Sequence, residues 1–463
     1  MNIRDYHIVF FIGVGGIGMS ALARWFNANG FKVYGYDRTE TPLTKELFKE
    51  GISIHYEDQI DLIPNQLYDG KGLVIITPAI PKSHKQMNHL KDQGFELHKR
   101  SQILGMISDQ FTTVAVAGTH GKTTTSSMIA HLLKSAGLDV TAFLGGIATN
   151  YNTNFIANRG SDKVIAVVEA DEFDRSFLTL HPDIAVITST DADHLDIYGN
   201  KDALKDSFKV FIKQVKAAGK LFVTEAVAND LDVSNTKIFN RTYGLNRGQF
   251  FASNITIVDG FFVFNYCDEQ YNIDNIKLGV PGFHYVENAV VAIAVALALG
   301  ASPEEVKAGI ESYTGVKRRF EYILRSEQIV FVDDYAHHPT EIEAFLKSLK
   351  ALYPDRKITA IFQPHLYTRT RDFMDGFAES LSLADEVILL GIYPAREAPI
   401  PGITSEVIFE KLQVSAKVST TKSELEGLLA DKDLEVVATI GAGDIDQLVS
   451  PIKQQLERRY HVG

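Results

Sequence analysis

Short apolar runs of strand length alternate with longer segments of helical character along most of the chain. His7-Ile-Val-Phe-Phe-Ile-Gly13 reads as a first strand, Met19 to Asn29 as a helix, and Lys32-Val-Tyr-Gly-Tyr36 as a second strand. Gly72-Leu-Val-Ile-Ile-Thr77 is another buried strand, and Pro78-Ala-Ile-Pro81 forces a turn at its carboxyl end. Thr113 to Val116 is a β-branched run that enters a glycine loop, with a helix from Thr124 to Lys134. Lys163 to Val168 and Ile184 to Thr188 are two more buried strands, and each ends in an acidic cluster. Between 220 and 280 the short apolar runs come close together and predict a series of β hairpins. Ala289 to Leu299 is the most apolar helix, far short of the ~20 residues that span a bilayer. Four strands follow, starting at Ile329, Ile358, Glu386 and Val436, each with polar residues after it. Strands alternating with helices predict an α/β protein built on parallel sheets.

The length, 463 residues, suits about three domains. The boundaries predicted are 1–109 for an N-terminal Rossmann-like domain, 110–316 for a central P-loop-like α/β domain with β hairpins, and 317–463 for a C-terminal Rossmann-like domain. The net charge is −12 with no basic stripe, which argues against nucleic acid as a main partner. Cys267 is the only cysteine, so no intrachain disulfide can form, which fits a reducing cytoplasm. No signal peptide opens the chain, and no membrane insertion is expected.

The candidate chemistry lies after the strands, where ligands of open α/β sheets bind. Gly118-Thr-His-Gly121-Lys122-Thr123-Thr124 joins a strand to a helix. A helix N-terminus offers unpaired N–H groups and a partial positive charge to an anion. Lys122 would reach outer phosphates, and the Thr123 hydroxyl would coordinate Mg²⁺. The loop departs from the standard Walker form, whose first glycine would fall at Val116. Gly13-Val-Gly15-Gly16-Ile-Gly18 forms a second diphosphate loop, with Asp37 about twenty positions on. It admits a dinucleotide or a nucleotide-sugar diphosphate equally well. Glu169, Asp171, Glu172 and Asp174, then Asp191, Asp193, His194 and Asp196, form the acidic clusters. They are either Mg²⁺ ligands or helix caps. Asn288 opens the apolar helix and is either its cap or a base contact. Arg318 and Arg319 suit a phosphate clamp. His337-His338 lacks a third ligand close in sequence, so hydrogen-bonding roles are favoured over zinc.

Laid out in order, these motifs resemble the Mur ligases over nearly the full length. They are G-V-G-G-I-G-M-S, G-T-H-G-K-T-T-T, E-A-D-E, D-A-D-H, His284 with Asn288, R-R-F-E, D-D-Y-A-H-H-P-T-E, Q-P-H-L-Y-T-R-T, Y-P-A-R-E-A-P-I-P-G and G-A-G-D-I. The resemblance implies an ATP-dependent amide ligase of peptidoglycan precursor synthesis. It would join L-alanine to the lactyl carboxylate of UDP-N-acetylmuramate through an acyl phosphate. A recycling ligase that attaches a tripeptide to the same sugar shares the front half.

The family's functional residues carry over by position. Gly118, Thr119, His120, Gly121, Lys122, Thr123 and Thr124 would bind ATP, with Asn288 at the adenine, Asp334 at the ribose and Arg319 at the phosphates. Thr123 and Glu169 would hold one Mg²⁺ and His194 a second, Mn²⁺ serving as a substitute. Gly13, Gly15, Gly16, Gly18 and Asp37 would hold the UDP-sugar, and His365, Arg369 and Arg371 the amino acid. Lys122, Glu169, His194, Arg319 and His365 are the implied catalytic set, and the protein would act as a monomer or weak homodimer. Three departures from the family pattern matter. Leu366 stands where arginine is common, and Ser189 where asparagine usually precedes the second acidic motif. Lys205 and Lys209 lie near the carbamylated lysine of sister ligases, with Phe208 nearer the equivalent place, and no carbamate is assigned.

Overall fold

The structure is a computed structural model and describes residues 2–191, 198–236, 238–395 and 397–462. The chain divides into two compact units. One comprises residues 1–253, 265–274 and 287–313, the other 254–264, 275–286 and 314–463.

The first unit opens with β1 (Ile8–Ile12), β2 (Lys32–Tyr36), β3 (Ser53–His55), β4 (Gly72–Ile76) and β5 (Leu97–Lys99). They form a parallel sheet in the order β3-β2-β1-β4-β5. Every residue of β1 is buried, as an apolar run without alternation requires of a strand covered on both faces. The sheet of the central segment follows. Its strands are β6 (Thr112–Ala117), β7 (Val140–Ala148), β8 (Thr153–Ile156), β9 (Ile165–Glu169), β10 (Ile184–Ile187), β11 (Lys220–Thr224), β12 (Phe239–Leu245) and β13 (Phe250–Val258). Within the first unit, which holds β13 as far as Ser253, they run in the order β13-β12-β11-β10-β6-β9-β7-β8. β14 (Phe261–Cys267) and β15 (Asn272–Lys277) come next in the chain.

The hairpin expectation for 220–280 is corrected at its start. β11 pairs with β12 in parallel, and β12 with β13 in parallel. A helix, Glu225–Leu231, makes the first crossover, capped by Thr224, whose hydroxyl accepts from Val227 N.

The N-terminal and central sheets of this unit share one continuous hydrophobic core, from Val9 and Phe11 through Phe26 to Phe143 and Phe155. A buried polar joint lies beside it. The Arg24 guanidinium pairs with Glu50 at 2.6 Å and also donates to Asn154 Oδ1. Asn154 Nδ2 in turn donates to Ile17 O at 2.6 Å and Ser20 Oγ at 2.9 Å. A side chain at Gly105 would meet Thr179 O at 2.4 Å, so the helix Arg100–Ser108 can lie close against the 173–179 segment only with glycine there.

The second unit holds β16 (Glu321–Arg325), β17 (Val330–Asp334), β18 (Ile358–Phe362), β19 (Glu386–Leu389), β20 (Ala416–Ser419) and β21 (Val436–Ile440). Their order is β16-β17-β21-β18-β19-β20, parallel except for β16 at the edge. The motifs read after Asp334, Phe362 and Ile440 therefore share one rim. No helix among the described residues is long and apolar enough to cross a membrane.

Candidate functional site

In the first unit the candidate phosphate loop is built by two glycines with positive φ, Gly118 at 129° and Gly121 at 82°. Gly121 is the N-cap of the helix Lys122–Ser135, which begins two residues earlier than its sequence pattern suggests. Lys122, Thr123 and Thr124 thus form the first helical turn, where backbone N–H groups point out of the helix.

Lys122 Nζ donates to Gly118 O at 2.7 Å and lies 2.8 Å from Glu172 Oε2. Burial works against its charge, but Glu172, Asp171 and Glu169 more than offset it, so the ammonium titrates above its ordinary range. The Glu172 side chain is fully buried, and Tyr198 Oη donates to its carbonyl oxygen at 2.6 Å. Sequence reasoning placed Glu172 in an acidic cluster without a partner; fifty residues separate it from the lysine it neutralises.

Glu169 ends β9 beside Gly145 of β7 and accepts from Gly145 N at 3.0 Å. A side chain at Gly145 would overlap the carboxylate, and this is the signal, a glycine inside a strand, that could have located it. Burial raises the Glu169 pKa against the pull of Lys122 and a hydrogen bond from Thr123. Among the described residues no three His, Cys, Asp or Glu side chains form a preformed metal cage. Glu169 and the Thr123 hydroxyl nevertheless supply two hard oxygens, and a half-buried carboxylate suits a cation that takes its remaining ligands from phosphate and water.

Asn288 is buried in this unit, its amide oxygen 3.2 Å from the position of a Cβ on Gly121. Asp174 pairs with Lys99 at 3.0 Å, and Asp171 accepts from Phe173 N. Asp193, His194 and Asp196 lie outside the described residues. The Lys205 ammonium is held by Asp230, which also accepts from Thr190 Oγ1 at 2.7 Å. Phe208 packs edge-on against Phe177 in the core.

In the Gly13–Gly18 loop, Gly13 has φ 91° and Asp37 accepts from Gly15 N at 2.7 Å. A Cβ on Gly15 would stand 2.8 Å from the same carboxylate. Asp37 thus shapes the loop itself. Gly16 caps the helix Ile17–Ala28, and Gly18 lies in its first turn.

In the second unit the two arginines part company. Arg318 is held by Asp333 at 3.0 Å and donates to Gly441 O at 2.6 Å, which makes it part of the scaffold. Arg319 lies over the Tyr335 ring, 5.1 Å from its centroid, and 3.7 Å from Glu341. Both oxygens of Asp334 accept backbone N–H groups, from Phe320 and Ala336, each at 2.7 Å. Burial nonetheless pushes its pKa from 3.8 to about 7, against Arg319. In that window the folded protein keeps a proton that the unfolded chain has released. Stability from this group therefore falls as pH rises from about 4 to about 7 and levels off above. Asp334→Asn should flatten that slope, which thermal melts of both proteins between pH 5 and pH 8 would read.

His284 is half-buried, and its buried Nδ1 meets no hydrogen-bond partner among the described residues. Burial and then Arg319 lower its pKa to about 4, so the ring is neutral. His337 and His338 point different ways. His337 Nδ1 lies 3.0 Å from Tyr335 O, while His338 caps the helix Pro339–Leu352 and packs on Phe373.

His365 stacks on Tyr393, and its Nδ1 lies 3.3 Å from the Arg369 guanidinium. Arg369 is buried in the first turns of the helix Tyr367–Leu381. Arg371 is exposed and bonded to Asp372 at 2.7 Å, because residues two apart on a helix do not share a face. The structure brings together two of the three residues expected at the amino acid. Glu397 of the Y-P-A-R-E motif accepts from Thr368 N at 3.0 Å and Thr368 Oγ1 at 2.5 Å, anchoring the start of that helix.

Residues 8–112 match the Mur ligase family catalytic domain, 116–296 the Mur ligase middle domain and 318–443 the Mur ligase glutamate ligase domain. The UDP-N-acetylmuramate–L-alanine ligase of Flavobacterium psychrophilum is 49% identical over 460 residues, covering 99% of this chain and 100% of that protein. The same-named protein of Phocaeicola vulgatus is 48% identical, over 99% of this chain and 100% of its own. Among solved structures, the UDP-N-acetylmuramate-alanine ligase of Thermotoga maritima superimposes with a TM-score of 0.80 at 28% identity, covering 98% of this chain and 99% of that one. The chain belongs to the Mur ligase family.

Proposed function

We propose that this protein is an ATP-dependent, ADP-forming ligase that joins L-alanine to the lactyl carboxylate of UDP-N-acetylmuramate, the first peptide step of peptidoglycan precursor synthesis. The observation that carries the reading is the charged Lys122 at a helix N-terminus beside Glu169 and Thr123. A carboxylate is a poor electrophile, and transfer of the γ-phosphoryl group to it installs a leaving group. The alanine amine then attacks the acyl carbon, and phosphate departs. Two anions must meet in the first step, so positive charge and oriented N–H groups dominate the catalysis.

Gly121, Lys122, Thr123 and Thr124 present the helix N-terminus to the phosphates, and Lys122 takes the outer ones. Thr123 and Glu169 would hold a Mg²⁺, which would supply positive charge for the phosphates, and His194 would serve a second. Asn288 orients the adenine, Asp334 the ribose and Arg319 the phosphates. Gly13, Gly15, Gly16 and Gly18 hold the UDP diphosphate. His365 and Arg369 receive the amino acid, Arg369 through its carboxylate. The enzyme works in the cytoplasm, as its use of ATP implies.

Phosphate release from Mg·ATP tests the reading directly, with UDP-N-acetylmuramate alone, then with L-alanine, then with a tripeptide instead. Release that needs both the sugar nucleotide and L-alanine is expected. Release only with the tripeptide would assign the recycling reaction, and none with any acceptor would remove the ligase.

A further inference from the structure

Thr188, Ser189 and Asp191, which follow β10, are stitched to the phosphate loop. Thr188 N donates to Ala117 O at 3.0 Å, and Thr188 Oγ1 donates to Ala117 O and to His120 O. Thr119 N donates to Ser189 O at 3.1 Å, and His120 N to Ser189 Oγ at 2.8 Å. The Thr119 and Ser189 hydroxyls are 2.8 Å apart, and Asp191 N donates to Thr119 Oγ1 at 3.1 Å. Gly118 leaves no room between these strands of chain, since a Cβ there would stand 2.2 Å from Thr188 Oγ1.

The Thr119 and His120 amides are thereby turned towards Ser189, and the anion is left to the amides from Gly121 onward. One hydroxyl, on Ser189, fixes the plane of the His120 peptide and bonds the side chain that holds Asp191. We propose that Ser189 is a positioning residue for nucleotide binding, a latch that holds the loop so that Lys122 and the first helical turn face a polyphosphate. The latch rests on the reading that this loop holds ATP.

The physical requirement is a hydroxyl, and threonine and valine, which match each other in size, separate that from packing. Mg·ADP titrated calorimetrically into the full-length protein should bind Ser189→Thr within about threefold of wild type and Ser189→Val on the order of tenfold more weakly or worse. In steady state Ser189→Val should raise KM for ATP more than it lowers kcat. Thermal melts of the two variants should coincide, since their bulk is equal. Equal weakening in both variants, or wild-type affinity in Ser189→Val, would overturn the latch. Failure of the wild-type protein to bind Mg·ADP at all would overturn the nucleotide reading and the latch with it, so the two failures are told apart.

Discussion

Lys122→Ala should lower acceptor-dependent phosphate release on the order of a thousandfold. The ammonium is held by Gly118 O and Glu172, and it stays charged despite burial. Its removal takes away the cation proposed for the outer phosphates. It also removes a charge partner of Glu172, whose side chain is fully buried. Breaking a buried pair from one side costs about 3–5 kcal/mol. The single variant therefore confounds lost chemistry with lost stability. The double variant Lys122→Ala with Glu172→Gln separates them, because a neutral amide at 172 needs no counterion. Urea denaturation should show the double variant regaining most of the lost stability, while phosphate release stays as low as in the single one. Recovery of turnover in the double variant would show that Lys122 serves the fold and would remove it from the chemistry.

The elements legible in the sequence are those set by local physics. β6 and the glycine loop could be read because an apolar run meets two glycines, and each glycine does take a positive φ. The start of the following helix was read late because Lys122 and Thr123 carry no apolar periodicity; their side chains face the site instead. The helix Glu225–Leu231 was missed for a related reason, being short, with few buried positions. Without it β11 to β13 looked like hairpins. Contacts between distant residues left no local trace. Lys122 with Glu172, Thr119 with Ser189, and Arg24 with Asn154 each join separate stretches of chain. The family resemblance implies Asp37 and Asp334 as ligand contacts, and the structure adds that both carboxylates also hold backbone N–H groups. A motif states which residues occur together. It does not state whether a carboxylate faces a ligand or the loop that faces it.

Arg369→Ala should raise KM for L-alanine on the order of a hundredfold or more, and Arg371→Ala should leave it within about threefold. The two stand two positions apart on one helix, so only one can face His365. Arg369 is buried and 3.3 Å from that ring, whereas Arg371 is exposed and occupied by Asp372. Family members that carry arginine at the position of Leu366 would have a further guanidinium beside this one. Here Leu366 supplies none, and its backbone has φ 71°, a region leucine occupies only under constraint, at roughly 1–3 kcal/mol. The constraint is visible. Leu366 N donates to Tyr393 O at 2.9 Å, and Leu366 O accepts from Thr370 N and Thr370 Oγ1. That strained turn sets His365 on Tyr393 and starts the helix that carries Arg369, so the proposed carboxylate contact falls on one side chain. Arg369→Lys keeps the charge but loses the two-pronged geometry, and should lie between wild type and alanine at about tenfold. Initial rates against L-alanine, at saturating ATP and UDP-N-acetylmuramate, rank the three variants. A large effect at Arg371 with little at Arg369 would move the amino-acid carboxylate to the exposed face of the helix.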